Sequence, residues 1–240
     1  MDRGYCGCGC DNVGMTRSLP TNLQDQLDAI TAKTRGLVQA ERLAVSERAT
    51  AELFATGIEE RILQPGTKAP EFRLMDSTSH KLVSSADLLA LGPVVVSFFR
   101  GRWCPYCMTE LETWRELAPE LRRHGAFFVA ISPQTTRQNN FMIEQHALTF
   151  PVLTDPGAEV AEKFGVAYTL SQAQRLYYQS ILINIPFNNA GLSYHNATEA
   201  SWRLPLAATF LVHQDGVIAY SQAHADFRVR TEPSEILELL

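Results

Sequence analysis

The chain has 240 residues with a formal charge of −5, a hydrophobic fraction of 45% and a charged fraction of 20%. These are the proportions of a globular protein with room for one sizeable core domain and an appendage, and its acidic balance, with a pI near 5.7, argues against a nucleic-acid-binding surface. No apolar run approaches the ~20 residues of a membrane helix, the five cysteines make no disulfide framework, and no secretory leader is visible, so a reducing cytoplasm is the expected compartment.

In chain order, Cys6, Cys8 and Cys10 alternate with glycine in a tip lacking apolar periodicity. Three close thiols suit a soft metal, but such a composition more simply predicts disorder over residues 1–20. Met15 is an equally good start, so the tip is expected to be dispensable and no metal is expected. Residues 21–64 form a helical extension. Thr21 or Asn22 can cap a helix, and Leu23, Leu27, Ile30 and Leu37 follow at helical spacing. The pattern resumes with Leu53, Phe54, Ile58 and Ile62, with Gly36 as a candidate break between two helices. This stripe is expected to pack on the main domain or on a second copy of the chain, as a homodimer would. Its mixed acid and base face suits water better than a membrane.

The main domain spans residues 65–240. Phe72-Arg73-Leu74 and Lys81-Leu82-Val83 flank a turn, and a short helix follows over 84–91 behind Ser84 or Ser85. Val94 to Phe98 is a buried apolar strand, followed by Phe99-Arg100-Gly101-Arg102-Trp103-Cys104-Pro105-Tyr106-Cys107. A helix then shows one apolar face through Met108, Leu111, Trp114, Leu117 and Leu121, with a kink or restart at Pro119 and an end at Gly125. A Cys-x-x-Cys at a helix start holds its thiols near unpaired N–H groups and the positive end of the helix dipole, which favours thiolate. One cysteine pair is half a zinc site at most, whereas a pair opening an amphipathic helix after a buried strand reads as a redox dithiol. Lowering a thiol from about 8.5 to about 7 takes roughly 2 kcal/mol, and a helix terminus supplies about 0.3–1. A second contributor is therefore expected, and Arg100 and Arg102 are the nearest cations in sequence.

Beyond the dithiol helix, residues 126–131 read as a strand, 135–146 as a helix, Val152-Leu153 as a strand and 158–164 as a helix. This alternation predicts a mostly parallel sheet covered on both faces. Residues 168–202 read as a long irregular segment, a functional or covering loop. Thr209–His213 and Val217–Ser221 form a hairpin around Gln214-Asp215-Gly216, and a last helix starts at Glu232-Pro233-Ser234. Trp103 and Tyr106 either shield and shape the dithiol or pack over the helix end. His124, His146 and Asp155 read as surface and turn residues. There is no Ser-His-Asp pattern, no phosphate-binding glycine loop and no His-Glu-x-x-His, so no cofactor is expected.

Gly66-Thr67-Lys68-Ala69-Pro70-Glu71-Phe72, the Phe99–Cys107 run, Ala130-Ile131-Ser132-Pro133, Phe150-Pro151-Val152-Leu153-Thr154-Asp155 and Ala208-Thr209-Phe210 with Asp215-Gly216 together carry a resemblance. From about Pro65 to Leu240 the chain resembles the alkyl hydroperoxide reductase and thiol-specific antioxidant family, the peroxiredoxin-like branch of the thioredoxin superfamily. The resemblance implies an α/β thioredoxin-like fold, a central mixed sheet flanked by helices. It places Cys107 on the family's peroxidatic cysteine, with Cys104 where that motif has threonine, Arg100 where it has proline, and Ala207 where a second arginine or a cis-proline belongs. Helix geometry, in contrast, favours Cys104 as the more exposed thiol.

The expected activity is a thiol-dependent peroxidase in which Cys107 and Cys104 cycle between dithiol and disulfide. Its substrate would be hydrogen peroxide or an organic hydroperoxide, and a thioredoxin- or glutaredoxin-like donor would reset it. Arg100, Arg102, Trp103, Pro105 and Tyr106 are the candidates for shaping the substrate site or stabilising the thiolate. The alternatives are a protein thiol–disulfide oxidoreductase with little peroxidase activity, and a non-catalytic or zinc-binding module.

Overall fold

The computed structural model describes residues 22–240, so Cys6, Cys8 and Cys10 lie outside the described residues. At its centre β3 (Val94–Phe98) is buried along its whole length. Val94, Val96 and Phe98 face one core, while Val95 faces a second. A strand with no solvent face is apolar on both sides, and β3 is so apart from the buried Ser97. It pairs in parallel with β4 (Phe127–Ser132), which pairs in parallel with β5 (Val152–Thr154).

Around this parallel centre the sheet is antiparallel. β1 (Arg73–Asp76) pairs with β5 and with β2 (Leu82–Ser84), while β8 (Ala208–Val212) pairs with β3 and β9 (Ile218–Ala223), giving the order β2-β1-β5-β4-β3-β8-β9. The sheet is thus mixed rather than mostly parallel. The physical reason is the connections: β1–β2 and β8–β9 are joined by short turns, which only antiparallel neighbours can use. A separate ribbon pairs β6 (Ala167–Thr169) with β7 (Arg203–Pro205).

Helices cover both faces, with α3 (Ser85–Leu91) capped by Ser84, α5 spanning Thr136–His146 and α6 spanning Glu159–Lys163. The long helix α4 (Pro105–Arg123) runs through Pro119 without a restart, and Gly125 follows it at φ 72°. Leu111, Trp114 and Leu121 of α4 are fully buried in the second core.

Residues 168–202 depart most from expectation. They hold α7 (Gln172–Ser180) and α8 (Ile185–Ala190) as well as short 3-10 turns, and with Leu204 of β7 they form a small core of Leu170, Tyr178, Ile185 and Trp202. α7 starts with a capping box, Ser171 and Gln174 satisfying each other's backbone N–H groups.

The extension consists of α1 (Leu23–Leu37) and α2 (Ala40–Ala55), separated just after Gly36 by Val38 and Gln39. α1 lies on α4 and α2 on α7, and Leu23, Leu27, Ile58 and Ile62 of the stripe are buried against the main domain while Leu37 and Phe54 stay exposed. The Leu23 N–H donates to Glu232 beside the last helix, α9 (Pro233–Leu237), at 2.7 Å. Beyond α2 the chain passes so close to Gly165 that a Cβ there would sit 1.9 Å from the Arg61 carbonyl oxygen. Only glycine allows that approach. No described helix is long and apolar enough to cross a membrane.

Candidate active site

Strand β3 delivers Phe99 and Arg100 to the edge of the sheet, and a tight turn hands the chain to α4. Gly101 has φ 151°, and a Cβ on it would lie 2.4 Å from Trp103 Nε1, so glycine lets the indole fold back over the turn. Cys104 takes the N-cap position of α4, Pro105 the first helical position, and Cys107 the first turn. Proline suits that place because its missing N–H would have been unsatisfied there anyway.

Both sulfurs are buried, Cys104 2% exposed and Cys107 fully enclosed. The Cys107 thiol donates to the Cys104 sulfur at 2.9 Å, and both cysteines are free. Burial alone pushes the Cys104 thiol up. The hydrogen bond from Cys107 and the charges of Arg100 and Arg230 outweigh it and bring it down to about 6. Burial, together with the proton it gives to that bond and the neighbouring thiolate, pushes Cys107 up. The pair therefore shares one negative charge, held on Cys104.

Arg100 is 4% exposed, and no carboxylate pairs with it among the described residues. Its guanidinium donates to the Tyr178 hydroxyl, stands 4.3 Å from the Phe227 ring centroid and 4.9 Å from Trp103, and leaves Nε without a partner. A buried guanidinium cannot shed its proton, so a thiolate beside it is stabilised by the charge it neutralises. Arg102 goes elsewhere: its Nε donates to Gln138 at 2.7 Å and its guanidinium lies 5.8 Å from the Phe141 ring.

The second cation acting on the sulfurs comes from far along the chain. Arg230 Nη2 is 3.5 Å from Cys107 Sγ, and Arg230 Nε donates to Glu110 at 2.7 Å, both side chains almost wholly buried. Burial raises the Glu110 carboxyl to about 7, against the lowering pull of Arg230. Sequence reasoning missed this pair. Glu110 was detectable in principle, as an acid three residues after Cys107 on the buried stripe of α4. Arg230 carried no local signal. Ala207 supplies no charge, and the site draws its two cations from Arg100 and Arg230 instead.

Trp103 and Tyr106 both reach a cavity of about 160 Å³ that also borders Cys104, Pro105 and Arg100. Trp103 packs edge-on to Tyr178 with centroids 5.1 Å apart, and Tyr106 meets Phe227 at 5.4 Å while its hydroxyl is 3.1 Å from Thr31 Oγ1 of α1. Of the remaining candidates, Asp155 accepts from the N–H groups of Val160 and Ala161 at 3.0 Å, capping α6. His124 and His146 pair with Glu120 and Glu112 rather than with the sulfurs. No group of three or more His, Cys, Asp or Glu among the described residues is placed to hold a metal.

A family model described as the AhpC/TSA family matches residues 65–221. A putative peroxiredoxin, bcp, of Haemophilus influenzae is 34% identical over 104 residues, 43% of this chain and 66% of that protein. The chain thus spans just under two thirds of that relative's length. The thiol-disulfide oxidoreductase ResA of Oceanobacillus iheyensis is 29% identical over 110 residues, 45% of this chain and 57% of that protein. The crystal structure of peroxidoxin BcpB from Mycobacterium tuberculosis is alike in fold, with a TM-score of 0.54 at 22% identity over 73% of this chain and 95% of that one.

Proposed function

The chain belongs to the AhpC/TSA family, a peroxiredoxin of the thioredoxin superfamily, and from that premise we propose that it is a thiol peroxidase running on the Cys104/Cys107 dithiol. The observation that carries the reading is a Cys104 sulfur bordering a small cavity, beside a buried cation and within hydrogen-bond reach of a second thiol. Cys104 thiolate attacks the nearer oxygen of a hydroperoxide, the O–O bond breaks, and the departing alkoxide or hydroxide takes up a proton. The products are the Cys104 sulfenic acid and an alcohol or water. Cys107 then attacks that sulfur, releasing water and closing an intramolecular disulfide. Two thiols of a thioredoxin- or glutaredoxin-like donor return both electrons, as a reducing compartment such as the cytoplasm permits.

Arg100 acts in two ways in this scheme. It lowers the attacking thiol, and its unpartnered Nε can donate to the peroxide as charge builds on the leaving oxygen. Family alignment favours the opposite order, with Cys107 attacking. What supports Cys104 is that it borders the cavity while Cys107 lies beneath it with a raised thiol.

The test is one turnover of the Cys104→Ser and Cys107→Ser proteins with peroxide in the presence of dimedone. A trapped sulfenate in Cys107→Ser and none in Cys104→Ser supports this order, and the reverse pattern makes Cys107 the nucleophile. If the parent reacts no faster than a free thiol, the peroxidase reading fails. The second reading, a protein thiol–disulfide oxidoreductase, is favoured by the similarity to ResA. It would need the sulfurs, buried in this conformation, uncovered for both halves of its cycle, whereas the peroxidase cycle needs that for reduction by a protein donor only.

A further inference from the structure

We infer that the helical extension builds the outer wall of a hydroperoxide pocket, and that the substrate is a compact, neutral aryl or branched-alkyl hydroperoxide. The inference rests on the peroxidase reading and deepens it. Its first support is where the cavity walls come from. Thr31, Thr34 and Leu43 of the extension and Phe227 near the C-terminus border the cavity above Cys104, and all lie outside residues 65–221, the stretch matched by the family. Residues 65–221 by themselves leave the cavity without this wall.

The second support is chemistry and size. Leu43, Tyr106, Tyr177, Ile181, Ile183 and Phe227 make the walls apolar and largely aromatic. A volume of about 160 Å³ is close to that of an apolar protein cavity that takes up benzene, and several times the ~30 Å³ share of one water. Hydrogen peroxide would leave most of it unfilled, and a group of about benzene size would occupy it. Charge points the same way. At the rim Arg35 and Arg228 each approach Glu47, at 3.9 and 4.0 Å, and Arg228 is held by Asp226. The rim therefore offers no uncompensated cation for a carboxylate tail. Arg100 is the cation left to act inside, at the cysteine end, where the hydroperoxy group must sit.

Rapid-mixing kinetics of the reduced full-length protein with cumene hydroperoxide and with hydrogen peroxide test this, together with calorimetric binding of 2-phenyl-2-propanol, the unreactive analogue. The expected kcat/KM is at least about tenfold higher for cumene hydroperoxide. Leu43→Trp, which fills the cavity from α2, should cut the cumene-to-hydrogen-peroxide ratio at least about tenfold and abolish analogue binding. Ile183→Trp fills it from the opposite wall and serves if the first variant does not fold. Equal rates for the two peroxides in the parent, or a ratio and analogue affinity unmoved by a folded filling variant, would overturn the inference and leave the peroxidase reading standing. A parent that reacts with neither peroxide faster than a free thiol defeats both.

Discussion

At the scale of single residues, the site is an electrostatic arrangement around one shared charge. Folding brings the Cys104 thiol from 9.0 to about 6 and the Glu110 carboxyl from 4.5 to about 7, so the two work oppositely on stability. Between about pH 6 and pH 9 the unfolded chain keeps a proton on Cys104 that the folded chain has lost, and stability rises with pH. Between pH 4.5 and about 7 the folded chain keeps a proton on Glu110 that the unfolded chain has lost, and stability falls with pH. Melting temperatures of the reduced protein should therefore climb on the alkaline side, and Cys104→Ser should remove that climb while leaving the acid-side fall. A serine variant that still climbs would show that another group is responsible. Replacing Arg100 with methionine should raise the Cys104 midpoint by about one pH unit or more, a loss of about 1.4 kcal/mol of thiolate preference, read from iodoacetamide alkylation rates across pH. The sequence made the dithiol and the need for a second cation legible, because spacing and helix start are local. It could not choose among arginines. Arg102 is two residues from Cys104 and points at Gln138, while Arg230 is 123 residues from Cys107 and touches it.

At the scale of elements, the Glu110–Arg230 pair ties α4 to the segment between β9 and α9. Both groups are removed from water, so losing one strands the other. Arg230→Met should destabilise the protein by about 3–5 kcal/mol, whereas Glu110→Leu with Arg230→Met should cost much less. Urea unfolding of the two single variants and the double variant checks this, and equal losses in single and double variants would contradict it. Ser171→Ala should cost about 1 kcal/mol through the lost cap of α7. That cap also marks where the sequence said more than its reading extracted. Residues 168–202 look irregular because their helices are short and their apolar residues serve a small private core, so no long period develops. Ser171-Gln172-Ala173-Gln174 was nevertheless a start signal. The β8–β9 hairpin was plain for the converse reason: Asp215-Gly216 sits between two apolar runs, and Gly216 supplies φ 79°.

At the scale of the whole molecule, a mixed sheet presents the dithiol at the C-terminal end of β3, and the extension then roofs it. The hold of that roof is light: the buried residues of α1 are Leu23 and Leu27, and that of α2 is Ala49. Two buried leucines are worth about 3–6 kcal/mol, so α1 should open more readily than the sheet core unfolds. A small hydroperoxide needs only the cavity, but a donor protein needs the sulfurs uncovered. The two halves of the cycle would then keep different clocks. Oxidation should keep rising with peroxide until the pocket is filled, while reduction by a protein donor should level off at the opening rate of α1 however much donor is supplied. Leu27→Ala, which weakens the roof by about 2–5 kcal/mol, should lift that plateau at least about tenfold, and a plateau that stays put would mean the donor reaches the disulfide another way. Under an oxidative burst such a molecule would behave as a fuse. It would fire at the speed of its substrate and rearm at the pace at which α1 opens, so the disulfide form would outlast the burst that made it.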